Sequence, residues 1–143
     1  MNSKAQMFQD YLQKNEKNMF FRRDLENEFH TSVFSSNFGI EKDSLPMAIV
    51  LDDTTYCMIQ VQILADALKF NNDKYILRIL NKWNCNLKLF KYVLDDEGNV
   101  VLTSCLLNKV NEADGDKIFA VLDVMLQYIT DDYKNIMQVL QGK

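Results

Sequence analysis

The clearest hydrophobic pattern in the chain lies just past its middle. Between residues 72 and 86, Ile76, Ile79, Leu80 and Trp83 recur at spacings of three and four, which places them on one helical face. Asp73, Lys74, Arg78 and Lys82 fall largely off that face, so the helix is amphipathic. Asn71-Asn72-Asp73 supplies side-chain oxygens for the free N–H groups at its start. Two runs rich in β-branched and aromatic residues follow, 87–94 and 100–110, separated by Asp95-Asp96-Glu97-Gly98-Asn99. Gly98 tolerates the positive φ that a hairpin reversal needs. The pattern predicts a helix followed by a β-hairpin.

Upstream, Ser3 and Gln6 fit a capping box, and Met7, Phe8, Tyr11 and Leu12 give paired apolar positions for a first helix over 4–14. The polar run 14–18 ends it. Met19-Phe20-Phe21 suits a strand start or a further helical turn equally. From 27 to 38, Phe29, Thr31 and Val33 alternate with His30, Ser32 and Phe34, which predicts a strand. A polar connection (39–44) leads to Pro46, which opens a second strand where its missing N–H does little harm. Residues 47–51 are continuously apolar, 52–55 form a reversal, and 56–63 return as a third strand. The last segment starts near Asp114-Gly115-Asp116, acidic residues suited to a helix N-terminus. A 3.6-residue stripe runs from Ile118 to Leu140 and predicts one long helix, whose continuity through 130–132 the pattern leaves open. The predicted fold is therefore α+β, one domain over residues 1–143: helix, three strands, helix, two strands, helix, with a curved antiparallel sheet packed against helices.

Strand parity brings in the question of partners. Cys57, Ile59, Val61 and Ile63 point to one face, and Tyr56, Met58, Gln60 and Gln62 to the other. In the hairpin, Phe90, Tyr92 and Leu94 oppose Leu89, Lys91 and Val93. A sheet with apolar residues on both faces has its second face covered by the chain's own helices, a second subunit or a bound segment. Tyr56 and Met58 are the candidate contact residues there. Trp83, with Ile76 and Ile79, is either core packing or an anchor in a partner or dimer interface, since buried aromatics dominate such contacts.

Composition narrows the function classes. The chain has 143 residues, 48% of them apolar and 25% charged, enough to fill one core. A net charge of −4 argues against non-specific binding to nucleic acid or anionic lipid. No apolar run approaches the roughly 20 residues that span a bilayer, and the start lacks a signal-peptide core, so the cytoplasm is the expected location. Cys57, Cys85 and Cys105 form neither a disulfide framework nor a zinc pattern. Cys57 and Cys105, within predicted strands, read as small hydrophobes. The single histidine, His30, has no companion nucleophile or ligand in the pattern and reads as a surface or edge residue. No glycine-rich phosphate loop is present. Asp52-Asp53 and Asp95-Asp96 sit in predicted turns, where aspartate bonds the local backbone. No catalytic residue, cofactor or metal is expected. Fourteen asparagines are unusual, and fit a coding bias as readily as chemistry.

Ile79-Leu80-Asn81 with Trp83-Asn84, Lys88-Leu89-Phe90, the Gly98 turn, Val101-Leu102 and the closing Asp132-Tyr133 together resemble the YbjN family of bacterial proteins. That family is similar in fold to the small acidic chaperones of type III secretion. The resemblance covers nearly the whole chain in layout, through hydrophobic pattern. It implies helices on one side of a strongly curved sheet, a tendency to homodimerise, and no defined catalytic residues. The expected function is a non-enzymatic module, chaperone- or adaptor-like, that dimerises and binds a segment of a client protein. The alternative is a small-molecule-sensing regulatory domain with a pocket between sheet and helices.

Overall fold

The computed structural model describes residues 3–109 and 111–142. Its elements are α1 (Ser3–Lys14), β1 (Phe21–Asp24), β2 (Ser32–Ile40), β3 (Asp43–Leu51), β4 (Tyr56–Leu64), a 3-10 turn (Ala67–Lys69), α2 (Asp73–Asn84), β5 (Lys91–Leu94), β6 (Val100–Leu107) and α3 (Gly115–Gln141). The six strands form one antiparallel sheet in the order β1-β2-β3-β4-β6-β5. The α+β architecture matches the sequence expectation, with one strand added: the ambiguous Met19-Phe20-Phe21 run leads into β1 at the sheet edge.

All three helices pack on one face. Phe8 and Leu12 of α1, Ile76 and Leu80 of α2, and the stripe from Ile118 to Leu140 of α3 join Phe34, Ile49, Ile59, Val61 and Leu102 of the sheet in a single buried cluster. The spacing of those residues fixes this arrangement, because the apolar stripe of each helix is buried only against the apolar parity of the strands. Gly115 lies against the Tyr11 ring, where any Cβ would overlap it; this lets the start of α3 meet α1 closely.

α2 is capped as its sequence suggests, Asn72 accepting from the Tyr75 N–H at 2.8 Å. The turn between β5 and β6 is built on Asp95, whose Oδ1 accepts from the Glu97 and Asn99 N–H groups, with Gly98 at φ 82°. α3 runs unbroken through residues 130–132. Thr130 is accommodated by donating its hydroxyl to the Leu126 carbonyl one turn back, and Asp131 and Asp132 face solvent.

Several local expectations change. Ser3 lies inside α1 and donates its hydroxyl to Asn111 Oδ1, while Gln6 bonds Asp10, so the capping box does not form. The strand expected from residue 27 begins at Ser32, because Asn27 builds a turn by accepting from the Thr31 N–H. β3 starts at Asp43, ahead of Pro46, and only Glu41 and Lys42 separate β2 from β3. The hairpin strands are shorter than their apolar runs, and Val110, the expected end of the second, lies outside the described residues.

Candidate functional site

With the helices on one side, the other face of the sheet is left without a covering layer among the described residues. The register sets its composition row by row. Arg23, Val33, Val50, Met58 and Cys105 form one row across five strands. Tyr56 and Leu107 pair beyond it, 54% and 64% exposed. On the other side lies the row Phe21, Ser35, Ala48, Gln60, Thr103 and Lys91. Farther on come Asn37, Pro46, Gln62 and Val101. The open face is thus graded, apolar toward Tyr56 and Leu107 and amide-rich toward Asn37 and Gln62. A shallow cavity of about 430 Å³ covers the polar half, with Ser35, Asn37, Gln60, Gln62 and Asn99 in its lining.

The two edges of the sheet differ. At β5 the side-chain amide of Asn84 stands where another strand's peptide would. Its Oδ1 accepts from the Tyr92 N–H at 2.7 Å and its Nδ2 donates to the Tyr92 carbonyl at 3.0 Å. Tyr92 is buried, shares a 2.8 Å hydrogen bond with the Tyr128 hydroxyl, and packs 5.2 Å from the Trp83 ring. Burial, then the bond to Tyr128, pushes the Tyr92 phenol well above its ordinary pKa. Lys91 donates to the Asn84 and Leu87 carbonyls, fastening the end of α2 to the same edge. β5 is therefore closed at Tyr92.

The β1 edge is not. Leu25 N–H donates to the Thr31 carbonyl at 2.8 Å, so ladder alternation turns the backbone groups of Arg22 and Asp24 outward. Their side chains bond inward or to each other: Arg22 to Gln9 Oε1 and Asp24, and Ser32 to Asp24. Those two donors hold the Asp24 carboxyl below the usual range. Met19, Phe21 and Phe29 surround this edge at 64%, 73% and 49% exposure.

The sequence-derived candidates divide accordingly. Tyr56 and Met58 lie on the open face, Tyr56 exposed and Met58 half-buried. Ile76, fully buried, and the half-buried Trp83 pack into the chain's own core, with Ile79 partly covered beside them. The α2 surface left for a partner is its polar side. Cys57 is buried, and desolvation pushes its thiol up to about 12. Cys105 is exposed on the open face instead of buried, because β6 turns it away from the helices with Thr103 and Leu107. His30 sits in the β1–β2 connection, not in a strand, with Nδ1 2.5 Å from Asp53 Oδ2.

Two residues escaped the sequence reading. Asn84 carries the β5 closure, and an asparagine ending a helix a few residues before a strand was the available signal. Lys4 is only 1% exposed and donates to the Thr54 and Tyr56 carbonyls at 2.8 and 2.9 Å. Desolvation lowers its pKa, against the attraction of Cys57, Asp52 and Asp53. A lysine one turn before Phe8, on the apolar face of its helix, was the only hint.

The elements and the strand order define an α+β domain with three helices on one face of a six-stranded antiparallel sheet. A chain in the crystal structure of the ExsC–ExsE complex superposes with a TM-score of 0.58, covering 94% of this chain and 96% of that one at 11% identity. No family model and no curated protein sequence matches the chain. Among the described residues, no helix is long and apolar enough to cross a membrane, and no group of three or more His, Cys, Asp or Glu could hold a metal ion.

Proposed function

We propose that this chain is a protein-binding module, chaperone- or adaptor-like rather than enzymatic, which works as a homodimer and holds an extended segment of a client protein. The YbjN-like hydrophobic layout is part of this reading. One observation carries it: the sheet has a closed edge at β5 and an open, apolar-bordered edge at β1 that is continuous with the apolar half of the open face. A client strand added to β1 gains main-chain hydrogen bonds from Arg22 and Asp24, its alternate side chains lie beside Phe21 and Arg23, and a client that continues across the open face meets Val33, Val50 and Met58 in turn. The neighbour in the ExsC–ExsE structure belongs to a two-protein complex, which agrees with a fold used for holding another chain.

The test is affinity capture from the native cells with the tagged wild-type chain and with Tyr56→Asp and Met58→Asp, followed by mass spectrometry. A stoichiometric protein held by the wild type and lost from both folded variants is the expected result. Undiminished capture by both variants would remove the open face from the site.

A further inference from the structure

The acidic net charge conceals a strong segregation. Residues 67–93 carry six lysine or arginine side chains and one acidic one, whereas residues 112–132 carry six acidic side chains and one basic one. On α2 the basic residues Lys74, Arg78 and Lys82 follow one another at intervals of four, which aligns them in one stripe on the side away from Ile76 and Leu80. All three are exposed, and none makes a side-chain hydrogen bond or ion pair among the described residues. On α3, Asp123, Gln127 and Asp131 have the same spacing on the outward side and are also exposed. Gln127 Nε2 donates to Asp131, leaving its Oε1 free to accept.

The two stripes match in length. Eight residues separate Lys74 from Lys82 and Asp123 from Asp131, about 12 Å in each case at the α-helical rise. Each is flanked by a large apolar side chain that the monomer leaves half in water: Leu77 at 51% beside the basic stripe and Val124 at 50% beside the acidic one. Resting on the homodimer in the reading above, we infer that α2 of one copy docks against α3 of a second copy. Lys74 and Lys82 face the two aspartates, Arg78 faces Gln127, and Leu77 packs against Val124. The occupant is a second copy because the complementary surface is carried by this chain itself. An extended polyanion would meet the acidic α3 in the same helical layer.

Sedimentation equilibrium of three full-length proteins tests this: the wild type, a reversed-basic variant (Lys74→Glu, Arg78→Glu, Lys82→Glu) and a reversed-acidic variant (Asp123→Lys, Asp131→Lys). Circular dichroism first establishes that each is folded. The expected result is a self-associating wild type whose Kd weakens about tenfold or more from 50 to 500 mM salt. Each variant alone is monomeric, and an equimolar mixture of the two regains association. A wild type that stays monomeric at about 100 µM, far above a micromolar Kd, overturns the homodimer reading and this contact together. A wild-type dimer retained in both variants leaves the homodimer standing and overturns this surface. Loss in each variant without recovery on mixing overturns the pairing of the two stripes.

Discussion

The edges at β5 and β1 belong to one sheet, yet they solve the same physical problem in opposite ways. Every edge strand presents unpaired N–H and C=O groups, and an exposed edge invites another chain to pair with it. At β5 a single asparagine amide satisfies both groups of Tyr92, while α2 covers the flank. At β1 the backbone of Arg22 and Asp24 stays open, and large apolar side chains crowd around it. One residue suffices to close an edge, and the edge left open is the one proposed to hold the client.

The largest effect should come from breaking the closed edge. Asn84→Ala leaves two backbone groups of a buried residue without partners, each costing about 1–3 kcal/mol. A loss of stability of about 2–4 kcal/mol in urea unfolding is expected, with concentration-dependent association through the newly opened β5. If Asn84→Ala unfolds at the wild-type midpoint, water replaces the amide without penalty and the closure is incidental. Tyr92→Phe is next. It removes the bond to Tyr128 and should cost about 1 kcal/mol, while native-state hydrogen exchange of β5 quickens and that of β1 does not.

Phe21→Asp should alter stability by no more than about 0.5 kcal/mol, as expected for an exposed position. Its effect belongs to binding, and client capture should fall as sharply as with Met58→Asp. A variant that retains full capture moves the site off the β1 edge. At neutral pH the smallest effect is none at all. The Tyr92 phenol is held protonated in the fold, whereas the unfolded chain releases its proton from the ordinary value of 10.0 upward. Unfolding therefore releases a proton above pH 10, and stability falls as pH rises past that point, with no change below it. Cys57 adds the same sign from its ordinary 9.0 up to about 12. In Tyr92→Phe the alkaline loss should be shallower, as thermal melts between pH 8 and 11 would show.

How much of this was legible in the sequence depended on which interaction set each residue's place. Ile76, Leu80 and Phe8 are positioned by periodicity, so their elements and burial followed from spacing. Tyr56 and Met58 were placed on their face by parity alone. The β1 edge was not legible, because a four-residue strand is too short to show a period and Phe21 sits between an apolar cluster and two arginines. Lys4 acts through groups distant in sequence, the carbonyls of residues 54 and 56, which no local window contains, whereas Asn84 reaches only eight residues on to Tyr92 and was missed because no periodicity marks a side chain that caps a strand edge. The α2 residues expected at an interface were correctly read as one face. The same apolar stripe serves core and interface alike, and only the position of the sheet shows which side faces inward.

The buried ammonium of Lys4 also bears on how the chain folds. Its acceptors lie 50 and 52 residues down the chain, and the neighbouring contacts from Ser3 to Asn111 and Met7 to Ala113 span 108 and 106. α1 precedes its partners in this chain: the Lys4 acceptors lie at the β3–β4 turn, and the other fastenings lie just ahead of α3. Local pairing of β2, β3 and β4 can proceed without it. Docking of α1 is therefore expected late in folding, since these long loops must close before its contacts form, and stopped-flow refolding of Lys4→Met that keeps the wild-type rates would show otherwise.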